Sequence, residues 1–441
     1  MKKVDCVVVG CGYVGFTLGL HMATKGLRVV GVDIDQEKIR NFNQGVTHIV
    51  EPGINDALGD AIKKGFISFQ TTPPQAASTW IIATSYIPSK PEIFLSILES
   101  LPASSEPPLF MIRGTIPVGF SSSHVIPLLE KKFGGRIGEK FYLASCPERT
   151  LSGAALEELS SLPQLVGGDS RSVAKATELF EKAGIDCLPL PSLEGGELAK
   201  VFANYARLVE FNLANFLGLL CHHFGISEES MIKQMTSGYG RLNFLKRPGP
   251  GVGGFCLPKD SLVLYDGLKE EFNRSGFPQE LMDYPKHQFE LNEKVIDYHS
   301  KRVRVLTENC KNILACGVAF KGVPRTDDTR DSVGLTIVRT LKEAGKNVTV
   351  LDLAVSPAKI AQLGLKGISL PADLVQFDAI LLLNNDPEYK NILYYNLSSA
   401  ESKPVKLYDP WRLLVTGNES IFQESFFYQS VKNHLVECVV S

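Results

Sequence analysis

The sequence predicts an α/β protein in which a long central helix joins two doubly wound sheets, and three observations predict it. Short apolar runs alternate with helical patterns through the first 190 or so residues. Leu193 to about Phe224 then runs almost without a helix breaker. From Arg302 onward the strand–helix alternation starts again. Such alternation is the signature of parallel sheets with crossover helices, which makes both sheets Rossmann-like. We divide the chain into a first domain over 1–192, a central helical domain over 193–300 and a second α/β domain over 301–441.

The bulk properties agree and exclude several classes. A chain of 441 residues is too long for one ordinary core. It is 44% hydrophobic and 21% charged, with a net charge of −2. No basic field therefore argues for nucleic acid or an anionic membrane. No run approaches the length of a membrane span, and the N-terminus lacks the apolar core of a signal peptide. The nine cysteines are odd in number and scattered without CxxC spacing, so neither a metal site nor a disulfide framework is expected. A cytoplasmic protein with reduced thiols is the expectation.

The first element is Val7-Val8-Val9, followed by Gly10-Cys11-Gly12-Tyr13-Val14-Gly15. A helix from Phe16 to Lys25 comes next, with Gly26 as its stop, and a second strand over Leu27–Val32 leads into Asp33. Glycines at these places admit a pyrophosphate to the helix N-terminus, and an acid about 20 residues on takes ribose hydroxyls. Asp33 also repels a 2′-phosphate, so NAD is the expected cofactor. Gly10, Gly12, Tyr13, Val14, Gly15, Asp33 and Lys38 are the first candidate contacts.

Further strands end in Thr84, in Gly114-Thr115-Ile116-Pro117-Val118-Gly119 and in Cys146-Pro147-Glu148-Arg149. Ligands bind beyond the carboxyl ends of strands in such sheets. Thr84, Thr115 and Glu148 thus fall either on a ligand rim or in ordinary caps and turns.

On the long helix, Lys200 and Asn204 stand four residues apart and share a face. Arg207, Glu210 and Asn215 add polar groups to an apolar run, and a solvated stripe is the plain alternative. Beyond Arg241 and Asn243 comes Gly249-Pro250-Gly251-Val252-Gly253-Gly254-Phe255-Cys256-Leu257-Pro258-Lys259-Asp260. Glycines bring backbone close to a ligand or turn it sharply. A thiolate attacks carbonyl carbon, a nearby cation favours that form, and a carboxylate activates water. A glycine turn beside an inert thiol is the other reading.

The last third lacks a second G-x-G-x-x-G, so a second dinucleotide is not expected. Lys321, Arg330 and Arg412 are candidate phosphate contacts or solvated surface. Trp411 either stacks on a base or packs in the core.

Taken in order, these motifs resemble the UDP-glucose/GDP-mannose 6-dehydrogenase family over nearly the whole chain. Val50-Glu51-Pro52-Gly53, Ala199-Lys200-Val201-Phe202-Ala203-Asn204, Ala319-Phe320-Lys321, Thr326-Asp327-Asp328-Thr329-Arg330 and Tyr408-Asp409-Pro410 add to the match. The resemblance implies an NAD-dependent, four-electron oxidation of the C6 hydroxyl of a nucleotide sugar, with uronate for a surface polysaccharide as product. It implies Cys256 as nucleophile through a thiohemiacetal and a thioester. Lys200 and Asn204 would stabilise the oxyanion, Thr115 and Asp260 would hold water, and Asp260 or Glu148 would be the hydrolytic base. Thr84, Thr115 and Arg330 would contact NAD. Glu148, Arg149, Lys200, Arg241, Asn243, Gly253, Lys321 and Arg412 would contact the UDP-sugar. A homodimer is implied through the long helix.

Three departures bear on the sugar. Ser152 and Phe216 stand where glutamates are common, and Phe255 stands where the UDP-N-acetylhexosamine branch has His. Pro147-Glu148-Arg149-Thr150-Leu151-Ser152-Gly153 resembles the acetylhexosamine branch, and Leu257-Pro258-Lys259-Asp260 resembles the UDP-glucose branch. A UDP-N-acetylhexosamine such as UDP-ManNAc or UDP-GlcNAc is the expected substrate, with UDP-glucose or GDP-mannose as the alternative. A two-electron β-hydroxyacid-type dehydrogenase and a non-catalytic NAD or nucleotide-sugar sensor are the other classes. Cys256 and the phosphate-type residues of the last third speak against the first, and retention of Lys200, Asn204, Cys256 and Asp260 together speaks against the second.

Overall fold

The computed structural model describes residues 4–102, 106–275, 278–374, 376–397 and 405–414, with 270–275 and 395–397 in backbone only, and the backbone of 427–428, 430–432 and 435–437. The chain forms two compact units. Residues 1–203 and 262–283 make the first; 204–261 and 284–441 make the second.

The first unit is built on an eight-stranded sheet. Its strands are β1 (Cys6–Val9), β2 (Val29–Val32), β3 (Ile67–Gln70), β4 (Thr79–Ile82), β5 (Leu109–Ile112), β6 (Tyr142–Ser145), β7 (Gln164–Gly168) and β8 (Cys187–Leu190). They lie in the order β3-β2-β1-β4-β5-β6-β7-β8. All neighbours are parallel except β6 and β7. The order reverses between β1 and β4, which opens a crevice at the carboxyl ends of those strands.

Both faces of this sheet are covered, as its unbroken apolar strands require. Alternate residues of β1 point to opposite sides. Cys6 and Val8 join a core with Phe16, Phe42 and Phe69. Val7 and Val9 join another with Trp80, Phe94 and Phe110. The first helix spans Tyr13–Thr24 and begins three residues earlier than its apolar pattern suggests. The glycine turn is itself the first turn of that helix, so its free amides face the crevice.

The second unit carries a six-stranded sheet of β9 (Asn312–Cys316), β10 (Asn347–Leu351), β11 (Lys366–Ile368), β12 (Ala379–Leu382), β13 (Lys406–Tyr408) and β14 (Phe427–Tyr428). Their order is β11-β10-β9-β12-β13-β14, and only the β13–β14 pair is antiparallel. Asp352, at the end of β10, accepts from the amides of Val318 at 2.7 Å and Ala319 at 2.9 Å. Asp33 of the first unit clasps the turn after β1 in the same way, accepting from Cys11 N at 2.9 Å. The two sheets thus share a structural device, while only the first has the glycine-rich turn.

The long helix covers Leu193–Phe224, 32 residues and about 48 Å at 1.5 Å per residue. It starts in the first unit and continues into the second. Helix Leu257–Ser275 begins at the residue after Cys256, and helix Tyr284–Leu306 leads to β9.

Candidate active site

In the first unit the crevice has the shape of a dinucleotide cradle. A Cβ on Gly15 would meet the Gly10 carbonyl oxygen at 2.0 Å, so the glycine is required for the turn to close. A Cβ on Gly12 would meet nothing within 4 Å, which leaves the helix amides open to a ligand. Thr84 packs its methyl against Gly10, and its buried hydroxyl has no hydrogen-bond partner among the described residues. Asp33 also pairs with Lys38 at 3.1 Å. These groups fit NAD: Gly12, Val14 and Gly15 would face its pyrophosphate, and Asp33 with Lys38 would face the ribose. Val14 is half-buried in the opening turn of the helix.

Tyr13 reaches a residue to which sequence reasoning gave no role. Its hydroxyl donates to Glu51, which is 7% exposed and also accepts from Gly153 N at 2.6 Å and Ala155 N at 3.1 Å. Burial, reinforced by Glu51, pushes the Tyr13 hydroxyl up, so it stays a donor. Glu51 therefore fastens the segment after Glu148 to the glycine turn.

Glu148 itself is buried and doubly held. Its Oε2 lies 3.4 Å from Nη2 of Arg113, and its Oε1 accepts from Thr150 N at 2.5 Å. Burial pushes this carboxyl up, but Arg113, Lys200 and the Thr150 amide outweigh burial and hold it below its ordinary value of 4.5. Arg149 is half-buried and donates to the Pro163 carbonyl.

Thr115 is half-buried in the loop after β5. Glu197, one turn before Lys200, fastens that loop by accepting from Gly119 N at 2.6 Å and Ser121 N at 3.0 Å. Burial, with a smaller push from Glu194 and against these donors, raises the Glu197 carboxyl to about 7.

In the second unit the glycine stretch is held from two helices. Asn215 Oδ1 accepts from Gly249 N at 2.8 Å. Asn292 accepts from Val252 N at 2.8 Å and donates to Val252 O at 2.9 Å. A Cβ on Gly253 would meet Asp331 O at 2.8 Å. Gly254 is at φ +90°, and a Cβ there would meet the Phe320 ring at 2.7 Å.

Cys256 follows at the foot of helix Leu257–Ser275 and is exposed, whereas burial raises the thiols of Cys6 and Cys11 to about 12. One turn on, Asp260 is fully buried; it accepts from Asn204 Nδ2 at 2.6 Å and pairs with Lys259 at 2.5 Å. Phe255 lies between two cations, with Arg330 4.6 Å and Lys259 5.3 Å from its ring centre.

The remaining candidates are spread over this unit. Arg330 is exposed and forked onto Asp328, and the field of Cys256 adds to that of Asp328 in favouring its charge. Arg412 is forked onto buried Glu228, beside a cavity of about 250 Å³ that Trp411 also lines. Lys321 lies near the Phe320 ring at 5.5 Å. Arg241 and Asn243 are exposed, with Arg241 resting on Tyr239 at 5.5 Å. Sequence reasoning passed over Glu51, Arg113, Gln164, Glu197 and Asn292 as positioning groups. A charged or amide residue inside an apolar pattern was the available signal.

Comparison with known proteins identifies the family. Models of the UDP-glucose/GDP-mannose dehydrogenase family match residues 4–183 as the NAD-binding domain, 194–283 as the central domain and 314–415 as the UDP-binding domain. The chain is 29% identical to UDP-N-acetyl-D-mannosamine dehydrogenase of Pyrococcus horikoshii, over 89% of this chain and 92% of that one. It is 28% identical to NDP-N-acetyl-D-galactosaminuronic acid dehydrogenase of Ralstonia nicotianae, over 87% and 91%. The solved structure of the UDP-D-ManNAc dehydrogenase from P. horikoshii superposes with a TM-score of 0.79 at 25% identity, covering 96% of this chain and 98% of that one. With its NAD-binding, central and UDP-binding regions all matched in order, this chain belongs to the UDP-glucose/GDP-mannose dehydrogenase family.

Proposed function

We propose that this protein oxidises the C6 hydroxyl of a UDP-N-acetylhexosamine, UDP-ManNAc or UDP-GlcNAc, to the carboxylate through a thioester on Cys256. The observation that carries this reading is the exposed Cys256 at the foot of a helix, with the Asn204–Asp260 pair one turn beyond it. When bound, NAD would supply the hydride acceptor for both two-electron oxidations.

In the first oxidation the C6 hydroxyl proton passes to the water held by Thr115 and Asp260, and Lys200 and Asn204 stabilise the negative charge that develops on the C6 oxygen. The Cys256 thiol adds to the resulting aldehyde, its sulfur to carbon and its proton to oxygen, and the thiohemiacetal keeps the aldehyde from escaping. Oxidation of that adduct leaves a thioester. Water held by Thr115 and Asp260 adds to the carbonyl, its proton goes to Asp260 or, through water, to Glu148, the C–S bond breaks and the thiolate is restored. Arg330 faces the NAD pyrophosphate. Glu148, Arg149, Arg241, Asn243, Gly253, Lys321 and Arg412 hold the sugar nucleotide.

The curated relatives named for N-acetylated sugars support the acetylhexosamine over UDP-glucose, and so does Pro147-Glu148-Arg149-Thr150-Leu151-Ser152-Gly153. Phe255, in place of His, favours the UDP-glucose alternative. Initial rates with UDP-ManNAc, UDP-GlcNAc, UDP-glucose and GDP-mannose decide between them. An acetylated sugar with the highest kcat/KM supports the proposal, and turnover of UDP-glucose alone contradicts it.

The working form is a cytoplasmic homodimer. No helix among the described residues is long and apolar enough to cross a membrane. Leu198, Phe202, Leu213, Phe216, Leu220 and Phe224 make an exposed apolar stripe along the long helix. A second copy of this helix is the occupant the family resemblance implies, and Phe216 in place of a glutamate makes the stripe continuous.

A further inference from the structure

The loop after β5, Gly114 to Phe120, carries Thr115 and is packed on three sides within the first unit. At its start a Cβ on Gly114 would meet the Thr84 carbonyl oxygen at 2.5 Å. Gly267, on helix Leu257–Ser275, lies against its middle, where a Cβ would meet Val118 N at 2.8 Å and the Pro117 side chain at 3.0 Å. At its end Phe120 packs edge-on against Tyr86, with ring centres 5.1 Å apart. The fourth tie is polar. Glu197, only 3% exposed, accepts from Gly119 N at 2.6 Å and Ser121 N at 3.0 Å. These amides stand at the start of the π-helical turn Ser121–Val125, where N–H groups have no partner within the turn. Glu194, three residues earlier on the long helix, accepts from the Ser122 hydroxyl.

A carboxylate is costly to bury without a cation, and among the described residues none pairs with Glu197. Its placement therefore points to the loop it holds. The turn that carries it is itself fixed, because a Cβ on Gly196 would meet Ser145 Oγ at 2.6 Å and so docks this end of the long helix on β6. Lys200 follows Glu197 by three residues and shares its face of the helix. One helix face thus grips the Thr115 loop and presents the cation of the proposed oxidation. We propose that Glu197 is a positioning residue that sets Thr115, with the water it holds, in register with Lys200 for proton removal from the C6 oxygen. A carboxylate suits this place because its two oxygens serve two N–H groups, whereas a side-chain amide would turn a donor onto one of them. The inference rests on the reading that Thr115 holds the water of the proposed mechanism.

The test is a double-mutant cycle on Thr115 and Glu197, run with UDP-ManNAc or with whichever UDP-sugar the enzyme turns over best. Thr115→Ala should lower kcat. Glu197→Gln keeps one carbonyl acceptor and should lower kcat about tenfold; Glu197→Ala keeps none and should lower it about a hundredfold. KM for the sugar nucleotide should stay within about threefold of the parent value in both. Placed on Thr115→Ala, the Glu197→Gln change should lower kcat by no more than about a further twofold, because the two residues act through one water. Gly267→Ala pushes the same loop from another side and should show the same non-additivity, which keeps the cycle readable if the Glu197 variants do not fold. A Glu197→Gln enzyme with the parent kcat, or a Glu197 effect undiminished on Thr115→Ala, overturns the inference. Thr115→Ala with the parent kcat instead overturns the underlying reading of Thr115 as the holder of the water.

Discussion

Asn204 donates to Asp260 at 2.6 Å, and both side chains are buried. The amide thus holds the carboxylate that the proposed mechanism places on the hydrolytic water. Removing one partner of a buried pair leaves the other unsatisfied, at about 1–3 kcal/mol. Asn204→Ala should lower the unfolding free energy by that amount in urea titrations. It should also slow hydrolysis of the acyl-enzyme in single-turnover experiments.

Phe255 is predicted to act on the thiol indirectly. Its ring holds Arg330 and Lys259 near Cys256, and each cation–ring contact is worth about 0.5–1 kcal/mol. Phe255→Leu should loosen both cations, which keep their pairs with Asp328 and Asp260, and slow alkylation of Cys256 by iodoacetamide at neutral pH roughly two- to fivefold. An unchanged rate would remove Phe255 from any role in thiol reactivity.

Two carboxylates of the first unit give stability opposite pH dependences. Glu148 is held below its ordinary value of 4.5, so the native state loses the stability it supplies as pH falls through that region. Glu197 is raised to about 7, so the native state binds a proton that the unfolded chain has released. Stability from Glu197 therefore declines as pH rises from about 4.5 to about 7. Thermal unfolding from pH 4.5 to 8 should show a shallower decline in Glu197→Gln than in the parent. Glu148→Gln should leave that part of the curve alone and flatten its acid end.

The apolar stripe of the long helix makes an assembly prediction. Phe216→Glu places a charge in its middle, where Phe216 is 48% exposed in the single chain. Sedimentation velocity should show a dimer for the parent and a larger monomer fraction for the variant. Identical profiles would put the subunit contact elsewhere.

What was legible in the sequence, and what was not, follows from how each feature is encoded. The glycine turn, the β1–β2 pair and the helix Leu193–Phe224 show as local patterns of periodicity and breakers, and the structure has them where those patterns lie. The antiparallel placement of β7 was hidden, because pairing direction is set by partners distant in sequence. The helix after Cys256 was hidden by the glycines and Pro258 before and within its first turn. Cys256, Asp260 and Asn204 were recognisable from residue type within motifs. Arg113, Gln164, Glu51 and Glu197 were not, because their roles arise from contacts across 17 to 104 positions of chain, such as Gln164 with Pro147 or Glu51 with Ala155. Arg330 and Arg412 were recognised as cations, but their carboxylate partners Asp328 and Glu228 emerge only in the fold.

The central claim is a four-electron oxidation carried on Cys256, and the NADH yield from limiting UDP-ManNAc tests it most directly, with the Cys256→Ser variant alongside. The account predicts two NADH per sugar for the parent and no uronate from the variant. One NADH per sugar, or two from Cys256→Ser at the parent rate, would contradict it.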